Sequence, residues 1–521
     1  MSARKIGLLI LILGFGAVVE TAWQVRGDLR IGPEGCRVIR GRFYGPSYSF
    51  EQTAERALPA GEVPRLEIRN AFGGVSVTAG APGVVKVRLR KVVFLPTEEK
   101  ARAFADRIEL RLSGEGSLVK VGTNREDVSR GEEAGFETHL EIEAPPETVA
   151  EVRSEHGPVD LAGIGSADVV SSFDGVSVER LAGALKLESR NGDVRASGIG
   201  GGLEVSSRHG RVDVADVAGA TKLDVEHGDV SARTTGALDA SVKFGGFEAE
   251  RVRGDLAVRG GHSELRASDV AGRAEVETSF AGIHLARVGG DVRATAQHGE
   301  VTAEDVGGRL FAETTHGDVR LERVDGPVQA IADRGGVQAS GLAKGATVRT
   351  TAGDVTIDGF AGPVEVEAER ASVRLAPRAA IAASITASAT NGEVRLDVPE
   401  GSRLDLDAES RRGELRADVP GFASSETSGE PGRGHRMAGK LGAGGVVVRL
   451  RADGDVALEA KPAAAIADRA VAKPALTATV EAPPPAPTPA EAPKAASPPA
   501  AESAPAAPSS PPKPPEAPPK R

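Results

Sequence analysis

A chain of 521 residues, 40% of them hydrophobic, is long enough for two or three ordinary domains or for one extended repeat array. Its formal net charge of −10 argues against a broad contact with nucleic acid or anionic lipid, since neither attracts an acidic surface. Aromatic residues make up 3% of the chain against 65 glycines, so a core must be built from small aliphatic side chains between frequent turns, and the single cysteine, Cys36, excludes an internal disulfide.

Arg4 and Lys5 stand ahead of an unbroken apolar run from Ile6 to Val19. A basic start followed by an apolar stretch is an export signal, and residues 1–26 read as an uncleaved membrane anchor, with a cleaved signal peptide as the alternative. The first places the rest of the chain in the periplasm or cell envelope, held at the bacterial inner membrane; the second secretes it. Residues 27–62 read as a linker. At the other end, residues 461–521 are dominated by Pro, Ala, Ser, Glu and Lys, a composition that cannot bury a core and reads as a disordered tail.

Between these ends a repeat governs the sequence. The hydrophobic residue that follows each turn falls at Val159, Val176, Val194, Val212, Val230, Phe247, Leu265, Ile283, Val301, Val319, Val337, Val355 and Val373, with spacings of 17 or 18. Within one period, GDVRLERVDGPVQAIADR, two short alternating runs are separated by two corners. Two strands and two turns at fixed length, with no helix between them, describe a coil of a single-stranded parallel β-solenoid, right-handed by default. One coil cannot bury enough apolar surface to fold alone, so many coils must stack and the two ends must differ from the middle. The expected all-β domain covers 63–460: irregular capping coils over 63–150, regular coils over 151–376 and wider closing coils over 377–460. The stretch PTEEKARAFADRIELRL, within the first of these, reads as partly helical.

HGDV, HGEV and NGDV recur at one corner. His156, His209, His227, His262, His298 and His316 all lie three residues before the anchor hydrophobe, a slot that Asn191, Asn391, Phe244, Phe280, Arg334 and Ala352 fill in other coils. Because Asn and His are enriched at positive φ and glycine follows in most copies, the slot reads as a turn position. The alternatives are a pH-sensing ladder and a metal site at the pairs His209/His227 and His298/His316, one coil apart, but zinc wants three or four protein ligands and the neighbouring slots do not supply them. No metal, cofactor or catalytic residue is therefore assigned. The carboxylates Asp193, Asp229, Glu264, Glu300, Asp318 and Asp354 read as a solvated, charged face, with a stripe for cations or basic polymers as the alternative.

The word NGDV or HGDV, the opening LEIRNAFGGVSV and the closing GKLGAGGVVVRLRADGDVAL together resemble a bacterial β-strand-repeat family known as "putative adhesin", a domain of unknown function. The resemblance spans about Pro64 to Ala460 and implies an exported or membrane-anchored β-solenoid with no established activity and no site residues to transfer. The expected function is a non-catalytic envelope scaffold or adhesive surface, contacting the membrane through its N-terminal segment and an envelope polysaccharide or protein through the solenoid. The alternatives are a β-helix carbohydrate-active enzyme, which needs longer coils with loops forming a cleft, and a self-assembling filament like the bactofilins.

Overall fold

The computed structural model describes residues 46–129, 135–428 and 434–461, together with three short antiparallel strands at 30–31, 37–39 and 42–44. The anchor or signal segment 1–26, Cys36 and the tail from 462 lie outside the described residues.

Each regular coil gives a short strand of six residues to one parallel sheet and a long strand, of seven in most coils, to another, as in Val194–Ile199 and Leu203–His209. Equivalent residues lie side by side one coil apart, Val194 opposite Val176 and Val212, Leu203 opposite Leu185 and Thr221. The solenoid runs to about 14 turns. Where the period drops to 17, the missing residue comes from a corner. Gly236 and Ala237 join Thr235 to Leu238, where Ala218, Gly219 and Ala220 join Val217 to Thr221 one coil earlier. The strands keep their register because a slip of one residue would turn every core side chain to solvent.

The core lies between the two sheets. Long strands alternate strictly, burying Leu203, Val205 and Ser207. Short strands bury their first, third and sixth residues, Val194, Ala196 and Ile199, so alternation is broken once in each. The break is a left-handed residue at the fifth position. Arg180, Asp216, Thr234, Arg251, Asp269, Arg287, Asp305 and Arg323 have φ of 53–57°, and Gly198, Gly341 and Gly359 take the same place. That one residue swings the next side chain inward and begins the corner. Packing small residues such as Ala232, Ala249 and Ala303 in the same column keeps the sheets close together along the array.

Both ends close by chain excursions. At the N-terminal end the strand Val75–Ala79 precedes Val159–Ala162 in the short-strand sheet. Beyond it Gly135–Ala144 pairs in parallel, and Val84–Phe94 and Tyr48–Ala57 follow as antiparallel strands. The helix Glu98–Ala105, begun by Glu98 and Glu99 at its positive end, buries Ala101, Phe104 and Ala105 against this cap. The segment read as a linker, 27–62, thus contains the cap's outermost long strand. Its inward face, Tyr48, Phe50, Gln52, Ala54 and Arg56, is only half-buried and mixes apolar with polar residues, too weak a pattern to register as a core strand.

At the C-terminal end chain order and spatial order part. The anchors Val394, Leu415 and Val456 do not stack in sequence: Val456–Lys461 lies between Val394–Pro399 and Leu415–Asp418. In the other sheet Val446–Ala452 inserts between Ile385–Ala389 and Leu404–Ser410, and two antiparallel strands, His435–Leu441 and Phe422–Ser428, finish the edge. The last described coil is held on both sides, an arrangement that spacing along the chain does not reveal. Among the described residues no helix is long and apolar enough to cross a membrane.

Candidate functional site

The histidine slot ends the long strands, and parallel stacking brings successive occupants about one strand spacing apart, ~4.8 Å. Planar side chains at such a position stack. From His209 the rings of His227, Phe244, His262, Phe280, His298 and His316 form one continuous ladder, with centroids 5.0, 4.9, 5.1, 4.4, 5.2 and 4.7 Å apart and interplanar angles of 5–24°. A shorter stack, Phe72, His156 and Phe173, lies nearer the N-terminal cap. Asn191 divides the two, its side-chain amide donating to the Ser172 carbonyl at 3.1 Å.

A guanidinium closes the outer end of each stack. Arg125 lies 4.5 Å from the Phe72 ring and 4.0 Å from Phe136, donating to the Phe136 carbonyl, and burial pushes its pKa down to about 10. Arg334 reaches the His316 Nε2 at 3.0 Å. A guanidinium only donates, so in this contact the imidazole nitrogen is the acceptor.

This geometry revises the turn reading of the slot. Of its occupants only Asn391 has positive φ, 58°; the histidines end extended strands, and the left-handed conformation belongs to the following glycine, as at Gly210 with φ +128°. The corner needs the glycine, whereas the ring before it packs on its neighbours.

The pairs weighed as metal ligands, His209/His227 and His298/His316, are adjacent, but their rings lie nearly parallel. Lone pairs lie in the ring planes, so they project side by side rather than toward one point. An ion ~2.0–2.1 Å from one nitrogen in its ring plane is out of reach of the other. Both rings would have to leave the stack to share it. Among the described residues no three His, Cys, Asp or Glu side chains come together as a metal site.

In the carboxylate file Asp193, Asp229 and Asp354 are exposed and Glu264, Glu300 and Asp318 half-buried, and the aspartates have a backbone role that sequence reading missed. Asp193 Oδ1 accepts the Arg211 backbone N–H at 3.0 Å, and Asp229, Asp318 and Asp354 do the same for Gly246, Gly336 and Ser372 at 2.9 Å. At the opposite corner Asp255 and Asp291 accept from Arg273 and Arg309 at 2.8 Å. Each stitches its corner to the same corner of the next coil. Glu264 and Glu300, one methylene longer, bond side chains instead: Glu264 pairs with Arg266 and His284, Glu300 with Arg320 and Thr302. The signal was in the sequence as Gly-Asp-hydrophobe at both corners.

The left-handed column was also missed. Asp269 is paired by Arg287, at 2.5 and 2.9 Å, and Asp305 by Arg323, at 2.6 and 3.1 Å, each one coil apart. Together with Arg251, the run Asp269, Arg287, Asp305 and Arg323 alternates in charge along the array.

Three solved structures are similar to this chain at low identity. One is "a putative cell adhesion protein" from Clostridium sporogenes, 7% identical, covering 80% of this chain and 100% of that one, with a TM-score of 0.16. "A putative adhesin" from Parabacteroides merdae is 11% identical, covers 66% and 95%, and has a TM-score of 0.13. "Putative lipid binding protein" from Parabacteroides distasonis is 11% identical, covers 66% and 96%, and has a TM-score of 0.16. Those names describe those proteins. No curated protein matches this chain. Residues 277–459 match the model of the Toastrack DUF4097 family, a domain of unknown function with a β-solenoid fold, in agreement with the resemblance read from the repeat words and the closing segment.

Proposed function

We propose that the chain is a non-catalytic scaffold exported to the bacterial envelope, held at the inner membrane by residues 1–26, whose solenoid faces serve as an adhesive or interaction surface. The observation that carries this reading is the uninterrupted frame. Between Val176 and Val373 every corner is four residues or fewer, so no inserted loops rise to wall a cleft of the kind a glycan-cleaving β-helix enzyme uses. Such a frame multiplies one surface along many coils, which suits recognition of an extended partner better than turnover of a small substrate.

Fractionation of cells making the full chain tests the location. Recovery with the membrane, and digestion of the solenoid by protease added to spheroplasts, is the expected result; a soluble, protease-protected cytosolic protein overturns it. Incubation of the purified chain with envelope polysaccharide tests the activity. Retention without release of shortened product supports the scaffold, and release of product overturns the non-catalytic reading.

A further inference from the structure

The outer face of the long-strand sheet carries a trench near its C-terminal end. Four neighbouring strands form it: Ala346–Ala352, Val364–Arg370, Ile385–Ala389 and Val446–Ala452. The third presents only short hydroxyl side chains outward, Thr386 and Ser388, followed by Thr390, while the strands on either side present long charged ones. The resulting hollow has a volume of about 570 Å³.

Register orders its walls into rows. Glu365 lies opposite Thr386 and Thr386 opposite Arg449; Glu367 lies opposite Ser388 and Ser388 opposite Arg451. Each row therefore reads carboxylate, hydroxyl, guanidinium. The two walls stand two strand spacings apart, ~9.6 Å, and successive rows ~6.6 Å apart along the strand. Arg349 braces Glu367 at 2.7 Å and Glu409 lies 3.8 Å from Arg451, so the second row is fixed. Among the described residues Glu365, Glu369 and Arg449 have no ion-pair partner.

We infer that this trench binds a short saccharide bearing a carboxylate, a uronate-type sugar, lying along the hydroxyl floor. The inference rests on the scaffold reading and names its partner's chemistry. The glutamates of one wall accept hydrogen bonds, with Arg349 the donor among them, the arginines of the other wall donate, and the floor does both. A phosphate or sulfate, a compact anion with no more than two hydroxyls to donate, is repelled by the glutamate wall, and a polyamine, which only donates, is repelled at the arginine wall. Sugar hydroxyls donate and accept, so one molecule satisfies both walls, and its carboxylate meets the unpaired Arg449 fork in bidentate geometry.

Isothermal titration of the full chain with trigalacturonate tests this, with maltotriose and inorganic phosphate as comparison probes. Trigalacturonate is expected to bind, and Arg449→Ala to weaken it about tenfold, the loss of one charge-assisted contact. Arg449→Lys should retain part of the affinity, Glu365→Gln should weaken binding, and Lys222→Ala, far along the same sheet, should leave it unchanged. These side chains face solvent, and an unchanged thermal midpoint shows that each variant is folded. Absence of binding, equal affinity for maltotriose or phosphate, or indifference to Arg449→Ala overturns the inference. If that happens while the chain still fractionates with the envelope, the scaffold reading stands; a cytosolic chain that binds trigalacturonate does the reverse.

Discussion

At Gly210 the backbone takes φ +128°, and a Cβ there would run into the Gly192 carbonyl one coil back. Conformation and close approach both demand glycine, so Gly210→Ala should cost about 2 kcal/mol or more, read as a lowered midpoint in denaturant unfolding; an unchanged midpoint would show that the corner relaxes freely. The left-handed column imposes a different requirement. Asp269 holds φ 56° while receiving two hydrogen bonds from Arg287. The Arg287 guanidinium holds the Asp269 carboxyl below its ordinary value, with burial opposing. A carboxyl depressed on folding contributes stability that is full above its unfolded value, ~3.9, and is lost as pH falls through the lower folded value. Thermal midpoints measured from pH 6 to pH 2 should therefore fall less steeply below about pH 4 in Asp269→Asn than in the parent. Parallel curves would show that the pair adds nothing to acid stability.

The ring ladder joins residues into an element. Phe244 and Phe280 are 45% and 54% exposed, values at which truncation ordinarily costs little. Here each is stacked on both sides, so Phe244→Ala should destabilise by about 1–2 kcal/mol, and a double-mutant cycle with His262→Ala should return a coupling of about 0.5–1.5 kcal/mol. Zero coupling would mean that the stacking is incidental. Much of this element was legible: the eighteen-residue spacing alone puts His209 beside His227 and His298 beside His316. Its continuity was not, because Phe244 and Phe280 read as replacements for a turn residue rather than as rungs. Seven successive coils with a planar side chain at one slot was the signal. The fifth-position bend was harder to see, because Arg and Thr disfavour the left-handed region and fill it in about half of these coils, leaving only the scattered glycines and aspartates to mark it in the sequence. The acceptor–hydroxyl–donor rows of the trench lay beyond reach for a different reason: Arg449 comes beside Thr386 only once Val446–Ala452 inserts out of chain order.

At the scale of the molecule, stability follows from stacking and closure. Each coil rests on two neighbours, and the inserted segment Val446–Lys461 locks the C-terminal end against both sheets. Such an array behaves as a sum of coils and nearest-neighbour interfaces, in which whole units can be removed and fractions cannot. The most direct measurement compares two deletions in the full chain by denaturant unfolding. Removing 283–300, one complete coil, brings Val301 into the register of Ile283. Removing 283–291, half a coil, brings Val292 of the long-strand sheet to that place. The solenoid account predicts that the whole-coil deletion retains a single cooperative transition with a modestly lowered midpoint, whereas the half-coil deletion loses it. Equal damage from both, or survival of the half-coil deletion alone, would contradict the account.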